Sequence, residues 1–481
     1  MADLEHRICS AAREFGFTDI DAFMKWLQSY PLTRNHIEIL ASHLTIGETY
    51  FFREKEGFLA LEETILPELV RLRAGNERRI RIWSAGCSTG EEPYSIAVAL
   101  SRMIVDIKDW NITILATDIN PRFLRKASHG IYTEWSFRNV PLWLKDKYFT
   151  STKHGQYEIL STIKKMVTFA YLNLADDIYP SLLNNTNAMD VIFCRNVLMY
   201  FTPENTKKII QKFSYSLVDR GWLMVSPCEV SNVPSSQLTP VHFPGATIYR
   251  KENKQFPRVG EFLPGDFLKY GKMEEPVTSA LTTFKDADRI VVEDVPPQTC
   301  SPGEPYEIKI LETQQAPYDE AFALYKQCRY EETIQKLTEL LSRDASVCAA
   351  FPYDEAVAIL SRSYANQGQL SLALEWCERA IAKNKVNPGF HYLRATILQE
   401  QGQVAESVKS LKRALYLDQD FTLAHFALGI LCQTMGKLQE SHKHFENALS
   451  LLNVHSDDEI VPESEGITVK RLTEIIMSTR H

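Results

Sequence analysis

Apolar positions recur every three or four residues through the first 75 residues, in "DIDAFMKWLQSY", "RNHIEILASHL" and "GFLALEETILPELVRLRAG". That period predicts amphipathic helices packed through one face. From about Arg79 to Lys251 the pattern changes. Short apolar runs ("IRIW", "ITILATDI", "DVIFC", "GWLMVSP") alternate with helical stretches such as "PYSIAVALSRM" and "PENTKKIIQKFSYSLVD". Such alternation predicts a parallel sheet covered by helices. The segment "KYFTSTKHGQYEILSTIKKMVTFAYLNL" breaks it, with β-branched and aromatic residues around a Gly turn, and predicts a small β insertion around residues 145–172. "HFPGATIYRK" predicts a hairpin that turns at Pro244-Gly245.

Helical periodicity returns near residue 317 and now repeats. "YANQGQLSLALEWCERAI", "LQEQGQVAESVKSLKRAL" and "CQTMGKLQESHKHFENAL" align without gaps, so that Gly368, Gly402 and Gly436 recur every 34 residues, as do Ala380, Ala414 and Ala448. Two helical segments per unit, with a Gly turn between them, resemble the tetratricopeptide (TPR) repeat. A divergent unit, "YKQCRYEETIQKLTELL", precedes these with Cys328 in the Gly position. The domain reading is a helical N-terminal domain over 1–75 and an α/β domain over 76–252. An acidic, Pro-containing linker over 253–316, largely disordered, then leads to TPR-like repeats over 317–452. A tail with a capping helix follows over 453–481.

Composition narrows the classes. The 481 residues are 44% apolar and 24% charged with a net charge of −8, ordinary for a globular chain and unfavourable for binding nucleic acid through its phosphates. The nine cysteines include no C-x-x-C pair, which disfavours a disulfide framework or zinc ribbon. The charged N-terminus lacks an apolar signal core, and no stretch reaches the ~18 apolar residues of a membrane span. The expected location is cytoplasmic.

The candidate chemistry starts in "RIWSAGCSTGEEPYSIAVAL", residues 81–100. Strand, Gly-containing turn and helix in that order usually cradle a phosphate, yet Glu91 and Glu92 follow the turn. Acids and Pro93 also suit the positive end of a helix in their own right. A second strand ends at Asp118, in "ILATDIN", where an acid commonly grips ribose hydroxyls. A ligand with a ribose, an ammonium group and a sulfonium suits these acids, and S-adenosylmethionine is such a ligand. His43, His129 and His242 show no metal-ligand spacing, so no metal is expected. Cys87 and Cys194 lie near the proposed pocket without a sign of nucleophilic activation. Phe51 and Phe52 read as core.

The ordered motifs "LTIGETYFFREKEGF", "RIWSAGCSTGEEPYSIA", "ATDINPRFLRKASHGIY", "FAYLNL" and "DVIFCRNVLMYF" resemble those of chemotaxis-receptor methyltransferases, the CheR family, over roughly residues 1–252. The resemblance implies a Rossmann-like α/β methyltransferase fold dependent on S-adenosylmethionine, with an all-helical N-terminal domain, here extended by the α-helical TPR-like array. It implies that Thr49 and Arg53 face the cofactor and the methyl-transfer site, and that Glu91 or Glu92 contacts the cofactor. It further implies that Asp118 binds the ribose, that Asn173 and Leu174 flank the adenine, and that Arg195 and Asn196 close the pocket. Tyr200 would point at the transferred methyl. Where the family often carries Asn, this chain has Gly47. The implied activity is protein-glutamate O-methylation of chemoreceptors, with Arg53 and Tyr200 as catalytic residues. The implied partners are receptor cytoplasmic helices, a protein bound by the TPR array, no nucleic acid, and the membrane only through receptors. Alternatives are a cofactor-sensing scaffold, or a methyltransferase for another substrate class.

Overall fold

The computed structural model of the chain describes residues 2–73, 75, 78–138, 140–233, 238–251, 317–342 and 351–479. The linker expected at 253–316 lies outside them. Three helices, α1 (Ala2–Glu14), α2 (Ile20–Ser29) and α3 (Arg34–Leu44), open the chain. Asp19 caps α2 and Thr33 caps α3 through side-chain bonds to the first free backbone N–H groups. α4 (Lys55–Ala60) runs through a π-helical turn, Leu61–Ile65, into α5 (Leu66–Arg73).

The seven-stranded sheet that follows is built from β1 (Arg79–Ala85), β2 (Asn111–Asp118), β6 (Val167–Tyr171), β7 (Met189–Cys194), β8 (Leu217–Val225), β9 (Leu238–Phe243) and β10 (Ala246–Lys251), in the spatial order β6-β2-β1-β7-β8-β10-β9. The first five in that order are parallel, and β10 and β9 close the edge antiparallel through the turn at Gly245, whose φ is 78°. Every residue of β1 and β7 is buried, as parallel strands covered on both faces require. α6 (Glu91–Met103), α7 (Pro121–His129) and α10 (Pro203–Ser216) are among the covering helices.

A separate three-stranded sheet, β3 (Ile131–Tyr132), β5 (Tyr157–Ile159) and β4 (Phe149–Ser151), forms the small subdomain together with α8 (Leu142–Tyr148), and α9 (Ser161–Lys164) leads back to β6. The expected insertion at 145–172 is corrected by this. Its strands start earlier, at Ile131, and "VTFAY" is the edge strand of the main sheet. Phe169 there alternates with exposed Thr168, a pattern that composition alone does not distinguish from an insertion strand.

The C-terminal array stacks helix pairs: α11 (317–326) with α12 (Tyr330–Leu341), α13 (Tyr353–Asn366) with α14 (Leu370–Lys383), α15 (Pro388–Glu400) with α16 (Val404–Leu417), and α17 (Thr422–Thr434) with α18 (Leu438–Leu452). A last helix, α19 (Val469–Thr479), covers the end. Gly368, Gly402 and Gly436 turn between paired helices at φ of 77°, 76° and 74°, and Cys328 takes the same place at 57°. The periodic alanines are fully buried where the helices meet.

The array packs on the amino-terminal ends of the sheet strands. Glu400, at the end of α15, receives Arg79 at 3.2 Å, Arg81 at 3.8 Å and the Asn187 amide at 2.9 Å, while its backbone carbonyl accepts from Asn111 at 2.8 Å. Leu182, in the loop before β7, is buried among Ala365, Leu370, Leu393 and Ile397. Among the described residues no helix is long and apolar enough to cross a membrane.

Candidate functional site

The carboxyl ends of β1, β2, β6 and β7 open into a cavity of about 330 Å³, at the end of the sheet opposite the Glu400 junction. Open parallel sheets bind ligands there because helix amino termini and strand-end loops converge. β1 ends at Ala85, and the chain then turns through Gly86 (φ 84°), Cys87, Ser88 (φ 49°), Thr89 and Gly90 (φ 95°) into α6. A Cβ on Gly86 would lie 2.4 Å from a Val197 methyl group. Only glycine allows both that conformation and that approach.

Two backbone bonds, from Gly86 and Cys87 to the Thr117 carbonyl at 2.8 and 2.9 Å, tie this turn to β2. The Asp118 carboxylate completes the link by accepting from Ser88 N–H and Asn120 N–H, both at 2.8 Å. Burial pushes the Asp118 carboxyl above its usual range, and these N–H groups pull it back. A carboxylate has about four acceptor positions, so two such bonds leave capacity facing the cavity. The Ser88 hydroxyl, on the cavity wall, is buried without a hydrogen-bond partner among the protein groups.

The two adjacent glutamates separate. Glu92 lines the cavity, accepting from Ser84 Oγ at 2.7 Å and from Arg195 at 3.2 Å. Glu91 does not. It is directed to Thr89 Oγ1 at 2.6 Å and Ser136 Oγ at 2.9 Å, joining α6 to the small subdomain. Of the two glutamates expected to contact a ligand, only Glu92 lines the cavity, because successive helical residues point about 100° apart. Burial raises both carboxyls, and for Glu92 the Arg195 guanidinium offsets part of that.

Thr49, Arg53, Asn173, Leu174, Arg195, Asn196 and Tyr200 also line the cavity. Arg195 is engaged on several sides: with Glu92, with Glu54 at 3.1 Å and with the Arg53 carbonyl. It therefore holds the "TYFFR" turn against β7. That turn contains two non-glycine residues at positive φ, Phe52 and Glu54, and is pinned by Phe52 N–H to Ser95 Oγ at 2.9 Å. Phe51 lies in the core against Tyr132, Phe137 and Phe149. The Arg53 guanidinium is half-buried, donates to the Glu48 carbonyl at 2.8 Å, and forms no ion pair among the described residues. Tyr200 is 63% exposed at the rim, so it does not pack under the sheet.

Several contributors carried no recognisable signal in the sequence. Glu229, fully buried, accepts from Asn196 N–H at 2.8 Å and Met199 N–H at 3.2 Å and so fixes the loop that bears Asn196 and Tyr200. Glu54 binds Arg195 and Ser226. Phe123 fills the space beside Gly47, where a Cβ would meet its ring at 2.7 Å. This explains the small residue at that position. Cys87 lines the cavity as well, but burial and the nearby Asp118 charge push its thiol well up, leaving it a poor nucleophile. No histidine or lysine is among the residues lining the cavity.

The cavity falls within the ~300–1,000 Å³ range of small-molecule sites. Its inner carboxylates, Glu92 and Asp118, with the unpartnered serine hydroxyl and the glycine-lined turn, fit a ligand that carries hydroxyls and positive charge. Residues 47–240 match the family described as "CheR methyltransferase, SAM binding domain", and residues 388–421 match the tetratricopeptide repeat. A chemotaxis protein methyltransferase of Borreliella burgdorferi is 35% identical over 228 residues, spanning 47% of this chain and 79% of the relative. Chemotaxis protein methyltransferase 2 of Vibrio cholerae is 36% identical over 218 residues, 45% of this chain and 74% of the relative. A probable biofilm formation methyltransferase, WspC, of Pseudomonas aeruginosa is 30% identical over 236 residues, 49% and 53% of the two chains.

Proposed function

This chain belongs to the family of CheR methyltransferases, and from that premise we propose that it transfers the methyl group of S-adenosylmethionine to glutamate side chains on chemoreceptor cytoplasmic helices. The observation that carries the reading is the division of the cavity: the Glu92 and Asp118 carboxylates on its floor, the Arg53 guanidinium and the Tyr200 phenol at its rim, and no histidine or lysine among its lining residues. When bound, S-adenosylmethionine supplies a methyl group already activated by its positive sulfur. Glu92 and Asp118 would hold its ammonium and ribose ends, with the Ser88 hydroxyl donating beside them. Asn173 and Leu174 would flank the adenine.

A glutamate acceptor, with an ordinary pKa of about 4.3, is ionised at neutral pH and requires no base to deprotonate it. The residues then have to orient the acceptor and exclude water, which can lower a barrier by roughly 7–11 kcal/mol. Arg53, whose remaining donors are uncommitted at the rim, would hold the acceptor carboxylate through two parallel hydrogen bonds. Tyr200 would bound the path of approach. The repeat array, in this reading, acts in cis on its own methyltransferase domain and offers its outer surface to a protein partner.

The test is incubation of the full chain with tritiated S-adenosylmethionine and receptor-containing membranes. The expected result is base-labile label on the receptors, reduced about 10- to 100-fold by Arg53→Ala, as loss of a charged hydrogen-bond pair predicts. Base-stable label, or label on no receptor, would overturn the proposal.

A further inference from the structure

Helix α19 packs against two segments that each continue into a wall of the cofactor cavity. Its Glu474 accepts from Arg34 at 3.3 Å and from Arg471 at 3.2 Å. The Arg471 guanidinium is 3.8 Å from Asp176 and 5.5 Å from the centre of the Tyr171 ring, and Arg34 stacks on the same ring at 4.0 Å. Both arginine side chains are largely buried, and Arg471 Nε has no partner.

Each contact leads to the cavity. Arg34 begins α3, whose other end supplies Leu44 and Thr45 to the cavity wall. Tyr171 ends β6, and the next three residues, Leu172 to Leu174, form the facing wall. Asp176 accepts from the Asn173 side-chain amide at 2.9 Å and so sets the fold of that wall. One helix of the repeat array thus binds both the far end of the helix that supplies one wall and the residues that flank the other.

We propose that α19 is a positioning element for the cofactor cavity: Arg471 and Glu474 hold the α3 wall and the Leu172–Leu174 wall at their working separation, so the repeat array sets cofactor affinity. The proposal rests on the reading that this cavity takes S-adenosylmethionine. Its physical basis is local. Without Arg471, Asp176 keeps a half-buried charge with only Lys212 and Arg34 as nearby cations, and a carboxylate that loses its largest charge partner reorganises its surroundings. The nearest group to move is the Asn173 amide.

The test uses the full chain and titration calorimetry with S-adenosylhomocysteine. Arg471→Ala is expected to weaken binding about five- to tenfold, the lower end of usual coupling between sites. It should raise the KM for S-adenosylmethionine by the same factor, with kcat held within about twofold. Arg471→Lys should recover part of the affinity, since it keeps the charge for Asp176 but loses the planar stack on Tyr171. Glu378→Ala, which breaks an exposed pair with Arg394 elsewhere in the array, should leave both constants unchanged. A lower melting temperature for Arg471→Ala with unchanged affinity would assign Arg471 to stability alone and overturn the proposal. Equal weakening by Glu378→Ala would overturn it too. If the unaltered chain fails to bind S-adenosylhomocysteine, the cofactor reading itself falls and this one with it.

Discussion

Asp118 shows how much one residue of the site does by itself. Its carboxylate accepts from the backbone on both sides of the cavity floor and still faces the cavity. Asp118→Asn puts an amide N–H₂ against one of those N–H donors and removes the charge. The expected loss of S-adenosylhomocysteine affinity is about 10- to 100-fold by calorimetry, the scale of a hydrogen bond to a charged group. The pH dependence follows from the same burial. Both Asp118 and Glu92 are raised above their ordinary values, and only their ionised forms attract a ligand ammonium. As pH falls, affinity should therefore start to drop at a pH above the ordinary carboxylate range, and binding in that window should release protons to the buffer. An affinity flat down to the ordinary range would contradict this. Asp118 was legible in the sequence from its place at a strand end. Glu229 was not, because nothing local marks a glutamate whose role is to receive N–H groups about 30 positions earlier.

At the scale of elements, the repeat turns show a local rule with a tertiary addition. Gly402 has the left-handed conformation that L-residues disfavour, and a Cβ there would lie 3.1 Å from the Asn111 amide. Gly402→Ala is expected to cost about 1–2 kcal/mol from the backbone alone, measured by denaturant unfolding. Cys328→Gly, at the equivalent turn, should change stability by less than about 1 kcal/mol, because relief of the turn is offset by a freer unfolded chain. The 34-residue period revealed the Gly402 turn directly, whereas Cys328, 40 positions before Gly368, was placed by the likeness of its unit. The β insertion was less legible: a strand that closes a main sheet and one that pairs in a subdomain have the same alternation, and only the partner distinguishes them.

At the scale of the whole molecule, the buried cluster at Glu400 joins the array to the sheet. Arg79, Arg81 and Glu400 are each under a tenth exposed. Burial pulls the Arg81 guanidinium below its usual value, and Glu400 pulls it back up. Removing one partner of such a buried pair typically costs about 3–5 kcal/mol because the other charge stays in place. Glu400→Ala should therefore weaken the junction, and scanning calorimetry should resolve two transitions where the unaltered chain shows one. A single transition at an unchanged temperature would show that the Leu182 contact holds the units together without the charges.

The sequence by itself determined the helical period, the strand alternation, the turn glycines and the strand-end acids, because these depend on neighbours within a turn or two. It brought Thr49, Arg53, Asp118, Asn173, Arg195 and Tyr200 into one expectation, and all line a common cavity. Tertiary structure alone decided which of Glu91 and Glu92 faces that cavity, and that the array docks on the sheet. The reason is that a side chain's partner is fixed by packing, not by distance along the chain: Glu400 meets Arg79 across 321 positions, and Arg34 meets Glu474 across 440.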